Sequence, residues 1–340
     1  MQSFRRYIFL TIACFFLIRL AITFYLPIDY PKLSAVNFSP EIRKTVQTEI
    51  EQFNPEILLL GNSVLEEGID QGQFEQITAS RTMKVSEQGT TSAYWYLVIK
   101  NNIIAAKNPP KYILLFFLDN LLTRPDFAVM GDYMPIIDEL AGDHEEILLQ
   151  KAYPYQINSL EGYLDSHFPL FGERQTVANK IINLIKYGLP NRILNCDKPC
   201  LDHALDSAFE SSRMLFNEIM RTDPDEASIT DEEWDFSGQI NKSFLPDIIQ
   251  LTRESGINLI LVREKSSYVE TIDDETPQSE DYYRDLSEYL KSQGVPILNF
   301  AYVPVITKDM FYDSMHFDAS GRNVFTRLVA EGFLELINQK

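Results

Sequence analysis

The sequence predicts an α/β protein with a parallel sheet covered by helices on both faces, and three observations lead there. Short runs that are apolar throughout recur along the chain, and helical stretches alternate with them. Hydrophobic residues make up 45% and charged residues 23% of the 340, the proportions of a chain that packs a core.

Taken in order, the first element after the N-terminal region is a helix over Ser39–Phe53, with Ser39 placed as N-cap, Pro40 at the first helical position and an amphipathic pattern behind them. The run Glu56–Leu60 follows and ends at Gly61, which predicts a buried strand. Comparable runs at Met83–Gln88, Tyr112–Leu118, Ile257–Val262 and Pro296–Phe300 predict four more. Helices are expected at Ser92–Lys107, Phe244–Ser255, Glu280–Gln293 and Ser320–Ile337. The alternation lapses once, from Pro125 to Gln239, where no sheet-like run occurs and helix-like pieces lie at Thr176–Tyr187 and Leu201–Arg221. Residues 125–239 are therefore expected to form an inserted cap over the carboxyl edge of the sheet, where such folds bind ligands. The acidic stretch Thr222–Asp235 reads as a solvated loop and helix start.

The N-terminus has a different character. Arg5 and Arg6 precede an apolar run from Tyr7 to Leu26, broken by one charge at Arg19. About 20 such residues span a bilayer, and no small-x-small cleavage site follows. The expectation is a retained signal-anchor within residues 1–30, its basic flank inside, and a main domain over residues 31–340 outside the cytoplasm. A buried helix of a soluble protein is the alternative. Cys196 and Cys200 form a C-x3-C pair, for which an exported compartment favours a disulfide; zinc would need two more ligands than His203 and its neighbours obviously offer. No metal and no cofactor are expected. The net charge of -19 argues against a nucleic-acid partner, whose phosphates such a surface repels.

Two segments carry chemistry. In ILLLGNSVLEEG, a strand ends at Gly61-Asn62-Ser63, which puts the serine hydroxyl at the sheet's carboxyl edge, close to helix N–H groups suited to an oxyanion. A serine there equally serves as a helix N-cap. In FYDSMHFDASG, Asp313 and His316 are three apart, which on a helical turn places both on one face. A carboxylate in reach of an imidazole fixes its tautomer and stabilises the imidazolium. Arg263, at the end of the fourth strand, would suit an anionic substrate group or an ion pair with an acidic neighbour. The pair Asp165 and His167 imitates a catalytic pair but is expected to be ordinary surface.

Serine after the first strand together with D-x-x-H before the last helix resembles the SGNH (GDSL-like) hydrolases, over about Glu56–Asn120 and Asn258–Phe333. GNSVLEEG looks like the family's first block, with Asn62 where the family has aspartate, a variant similar to its membrane-bound acyltransferase-like members. The resemblance implies a flavodoxin-like SGNH fold, Ser63 as nucleophile, His316 as general base and Asp313 as its orienting acid. It further implies Gly89 and Asn120 as oxyanion donors. The third block departs from the family, since Asp119 precedes Asn120, so either residue is a candidate to face the site. An acyl-ester or glycan substrate follows, cleaved by an esterase or transferred by an O-acyltransferase acting on surface or exported polysaccharide. Transfer would need a multi-span partner protein to supply the acyl group. A non-catalytic surface protein that binds glycan or scaffolds polymer export is the other expectation.

Overall fold

A computed structural model of the chain describes residues 38, 41–142, 145–154, 160–168 and 232–338. The expected anchor, the Cys196–Cys200 pair, the Ser39–Pro40 cap and the helix-like pieces at 176–187 and 201–221 lie outside them. Among the described residues no helix is long and apolar enough to cross a membrane. The chain divides into two compact units, one of residues 38–153 and 230–340 and one of residues 1–37 and 154–229. In the second unit the helix Leu160–His167 is described, and it is treated by itself.

The first unit is an α/β structure. In chain order it runs α1 (Thr45–Phe53), β1 (Ile57–Gly61), α2 (Ser63–Gly68), α3 (Gln71–Thr78), β2 (Thr82–Ser86), α4 (Ser92–Val98), which continues as a π-helical turn over Ile99–Ile103, and β3 (Tyr112–Phe117). Then come α5 (Met134–Leu140), α6 (Glu146–Ala152), α7 (Phe236–Gln239), α8 (Leu245–Glu254), β4 (Asn258–Arg263), α9 (Pro277–Gln293), β5 (Ile297–Asn299) and α10 (Ala319–Asn338). All strands are parallel, in the order β2-β1-β3-β4-β5, which is the flavodoxin-like order.

Side chains alternate across the sheet with period two, so the apolar runs serve two cores at once. Ile57, Leu59, Leu114, Phe116, Ile260 and Val262 face a cluster with Leu65 and Ile69 of the α2 region, Phe74 of α3, and Phe325, Val329 and Phe333 of α10. Their neighbours Leu58, Leu60, Ile113, Leu115, Leu259 and Leu261 are buried on the opposite face, where α8 packs on β4 and α1 against β2. This two-sided burial is why no polar alternation marks these strands in the sequence.

Residues 125–153, expected within a cap, pack into the sheet-bearing unit: Val129, Ile137, Leu140 and Leu148 are buried, and the hydroxyl of Tyr153 donates to the Val129 carbonyl at 2.7 Å. The chain leaves β1 to one side and enters β3 on the other. That reversal puts the topological switch point, where such folds bind ligands, at the carboxyl ends of β1 and β3, which Ser63 and Asn120 follow.

Candidate active site

The serine turn is built by its neighbour. Asn62, extended at φ -118°, is the N-cap of α2: its Oδ1 accepts from the Val64 N–H at 3.1 Å, and its Nδ2 donates to the Thr90 carbonyl at 3.2 Å. Capping falls to Asn62, which leaves the Ser63 hydroxyl free for another partner. That partner is the imidazole of His316, whose Nε2 lies 2.9 Å from Ser63 Oγ. Asn62, which the sequence also offered as a substrate-binding residue, is buried with both ends of its amide used, and in this structure it braces the serine turn.

Asp313 and His316 sit on a tight turn and not on the helical turn that their spacing suggested. Phe311 and Phe317 bridge its base, and the Tyr312 N–H donates to the His316 carbonyl at 3.1 Å. Asp313 Oδ1 accepts from the N–H groups of Met315 (2.8 Å) and His316 (2.7 Å), while Oδ2 accepts from His316 Nδ1 at 2.8 Å. One carboxylate thus folds the turn and orients the ring. Burial pushes the Asp313 carboxyl up, but the hydrogen bonds from the His316 ring and from the backbone N–H groups of Met315 and His316 outweigh it, holding the group below its ordinary value. Asp313 is therefore ionised at neutral pH, with Nδ1–H directed at it and Nε2 left as the acceptor for the serine proton.

Serine and histidine are 253 positions apart, and α10 brings them together. Arg322 Nε donates to the Glu67 carbonyl at 2.6 Å, its guanidinium pairs with the Glu67 carboxylate, and the Asp70 N–H donates to Thr326 Oγ1 at 2.9 Å. Phe317, wholly buried and 5.1 Å from the Phe325 ring, pins the loop to the same helix. Gly321 permits that close fit. A Cβ there would collide with the Met310 carbonyl oxygen and lie 2.7 Å from Phe317 Cδ1 and 3.0 Å from Met310 Cβ. Gly321→Val is expected to lift the whole loop. The variant should melt lower by several degrees and lose most of any Ser63-dependent turnover; an unchanged melting point would show that the loop yields freely.

The other expected residues fare differently. Gly89 lies on the turn after β2 at φ +68°, a conformation that favours glycine, with its neighbour Thr90 tied to Asn62. Asn120 is wholly buried; its Nδ2 donates to the Glu233 carbonyl at 2.9 Å and its Oδ1 has no partner among the described residues. In this conformation the amide expected to face an oxyanion is turned to Glu233 and shielded from solvent. Asp119, at φ +50°, accepts from the Tyr268 hydroxyl at 3.1 Å. Arg263 is also turned inward. Its guanidinium pairs with Glu275, donates to the Tyr302 hydroxyl at 3.0 Å and stacks 3.1 Å from the Tyr283 ring centroid, so the anion-binding expectation gives way to a buried ion pair. In the other unit, His167 is exposed, stacks on Tyr163 and donates from Nδ1 to the Tyr163 carbonyl at 3.0 Å; the Asp165 side chain lies outside what is described.

Sequence reasoning missed Glu264. It follows Arg263, the last residue of β4, and is fully buried beside Gly68 at the end of α2; among the described residues neither carboxyl oxygen has a hydrogen-bond partner. Desolvation pushes it well above the ordinary carboxylate range. Its only signal in the sequence is its place in the charged triplet Arg263-Glu264-Lys265 that ends an apolar run.

A parallel α/β sheet with a Ser–His–Asp hydrogen-bonded chain at its carboxyl edge defines the molecule structurally. No family model and no curated protein matches the sequence. Among solved structures, the chain is similar to an acylhydrolase described as putative from Bacteroides fragilis (10% identity, 87% of this chain and 91% of that one, TM-score 0.37). It is also similar to a GDSL-like lipase from Bacteroides thetaiotaomicron (8%, 82% and 88%, TM-score 0.35) and to a mutant acetyl-xylooligosaccharide esterase from a Geobacillus (10%, 83% and 93%, TM-score 0.37). Likeness at this level settles neither family nor activity.

Proposed function

We propose that the chain is an SGNH-type serine enzyme that cleaves acyl esters through an acyl-serine intermediate. One observation carries the reading: Ser63 Oγ, His316 Nε2, His316 Nδ1 and Asp313 Oδ2 form a continuous chain with links of 2.9 and 2.8 Å. In the reaction, His316 Nε2 takes the hydroxyl proton as Ser63 Oγ bonds to the ester carbonyl carbon. The tetrahedral intermediate collapses by breaking the bond to the alcohol oxygen, which receives that proton from His316. Water then releases the acid, or a glycan hydroxyl takes the acyl group. The N-terminal apolar run supports anchoring in a membrane with the enzyme outside the cytoplasm; the substrate class that goes with that placement is acetylated surface or exported polysaccharide, with a multi-span donor protein if the reaction is transfer.

The decisive experiment incubates the full chain in detergent with a fluorophosphonate probe and a chromogenic acetyl ester, with and without an acceptor oligosaccharide. Labelling confined to Ser63 with release of acetate supports hydrolysis; acetylated oligosaccharide supports transfer. The inward-turned Asn120 favours the second reading, a non-catalytic glycan-binding protein, and an unlabelled Ser63 with retained glycan binding would establish it. A reporter fused after Lys340 that works only outside the cytoplasm tests the topology, and silence from a stable fusion overturns it.

A further inference from the structure

Resting on the acyl-serine reading, we propose that the hydroxyl of Tyr133 is an oxyanion donor of this site, in the position left open by the buried Asn120. Acyl transfer places negative charge on the former carbonyl oxygen, and such sites answer it with two or three N–H or O–H donors. Two are supplied by the backbone. Ser63 is the first residue of α2, Gly89 lies on the adjacent turn, and the Asn62–Thr90 hydrogen bond of 3.2 Å holds those turns side by side. No described group accepts from the backbone N–H of Ser63 or of Gly89. The side-chain donor expected after β3 is missing, because Asn120 is sealed from solvent with its amide on Glu233.

Tyr133, on the short turn leading into α5, fills that gap. Its hydroxyl packs directly on Gly89: a Cβ at Gly89 would overlap the oxygen and lie 2.9 Å from ring atoms Cζ and Cε1. Among the described residues this hydroxyl has no hydrogen-bond partner, although the ring is only half-exposed. A phenol packed on Gly89, on the turn next to the nucleophile, presents one unspent O–H. It donates a hydrogen bond to the developing oxyanion and keeps its proton throughout, so the step needs no further reactant. The glycine is favoured on two counts, since its φ of +68° strains most larger residues and any Cβ would displace the phenol.

Tyr133→Phe keeps the ring on Gly89 and removes only the donor. In the full chain with 4-nitrophenyl acetate, kcat should fall on the order of 100-fold with KM nearly unchanged, the loss seen for one oxyanion donor. Affinity for an alkyl boronic acid, which forms a tetrahedral adduct on serine, should fall similarly; fluorophosphonate labelling of Ser63 should be slower yet still reach completion, with the melting point retained. A merely structural tyrosine would move melting and KM instead. An unchanged or raised kcat in Tyr133→Phe overturns the proposal. Absence of turnover and labelling in the unsubstituted chain overturns the acyl-serine reading, and this inference with it.

Discussion

Ser63→Ala and His316→Ala are each expected to lower acetyl-ester turnover on the order of 10⁴-fold or more, and the double variant should be little worse than either. The reason is geometric. Ser63 Oγ has His316 Nε2 as its acceptor at 2.9 Å, so removing the ring leaves a neutral hydroxyl, and removing the hydroxyl leaves a base with nothing to activate. Asp313 behaves differently. Its two oxygens do separate work, one holding the Met315 and His316 N–H groups and one accepting from the ring. Asp313→Asn keeps a single acceptor oxygen and so serves the turn or the imidazole, but not both. Turnover should fall by roughly 10²–10⁴-fold, less than for loss of the base because the carboxylate is partly exposed. Steady-state kinetics with a chromogenic acetyl ester read all four. Full activity in Ser63→Ala, in an active preparation, would remove this serine from the mechanism.

Glu264→Gln is expected to change how stability depends on pH. The folded-state pKa of Glu264 is raised by burial, so the native chain keeps this proton where the unfolded chain, with a carboxyl near about 4.3, has released it. For a raised group the sign follows directly: its full contribution is present below the unfolded value and is lost as pH rises toward the folded one. Over that window the unsubstituted chain should lose about 1.4 kcal/mol of this group's contribution per pH unit, a slope that Gln cannot have. Urea unfolding from about pH 5 upward should therefore show the variant gaining on the unsubstituted chain by that increment until Glu264 ionises. Parallel stability curves for the two proteins would mean that water or a rearranged partner solvates the carboxylate.

The strands were legible because burial on both faces demands apolar residues whatever the neighbours are. The predicted runs Glu56–Leu60, Tyr112–Leu118 and Ile257–Val262 match β1, β3 and β4 within a residue or so. Ends were less legible. The helix beginning at Ser92 is α-helical only to Val98 before a π turn, and α1 starts at Thr45, because end geometry depends on local hydrogen bonds that composition does not encode. Ser63, Asp313 and His316 were singled out by residue type and position together with the resemblance to the SGNH hydrolases, though the turn that carries the last two is closed by the Phe311–Phe317 bridge and not by helical spacing.

Asn62, Asn120 and Arg263 mark the other side of that boundary. All three sit at the carboxyl edge of the sheet as expected, and all three spend their polar groups inward, on Thr90, Glu233 and Glu275. A strand end determines where a Cα lies, whereas a polar side chain goes where its hydrogen bonds are satisfied. Glu233 stands 113 positions from Asn120. By itself, the sequence determined the parallel α/β sheet and the three residues of the hydrogen-bonded chain. Only the tertiary structure decided which neighbouring groups remain free to meet a substrate, because that choice depends on partners the fold brings in from far along the chain.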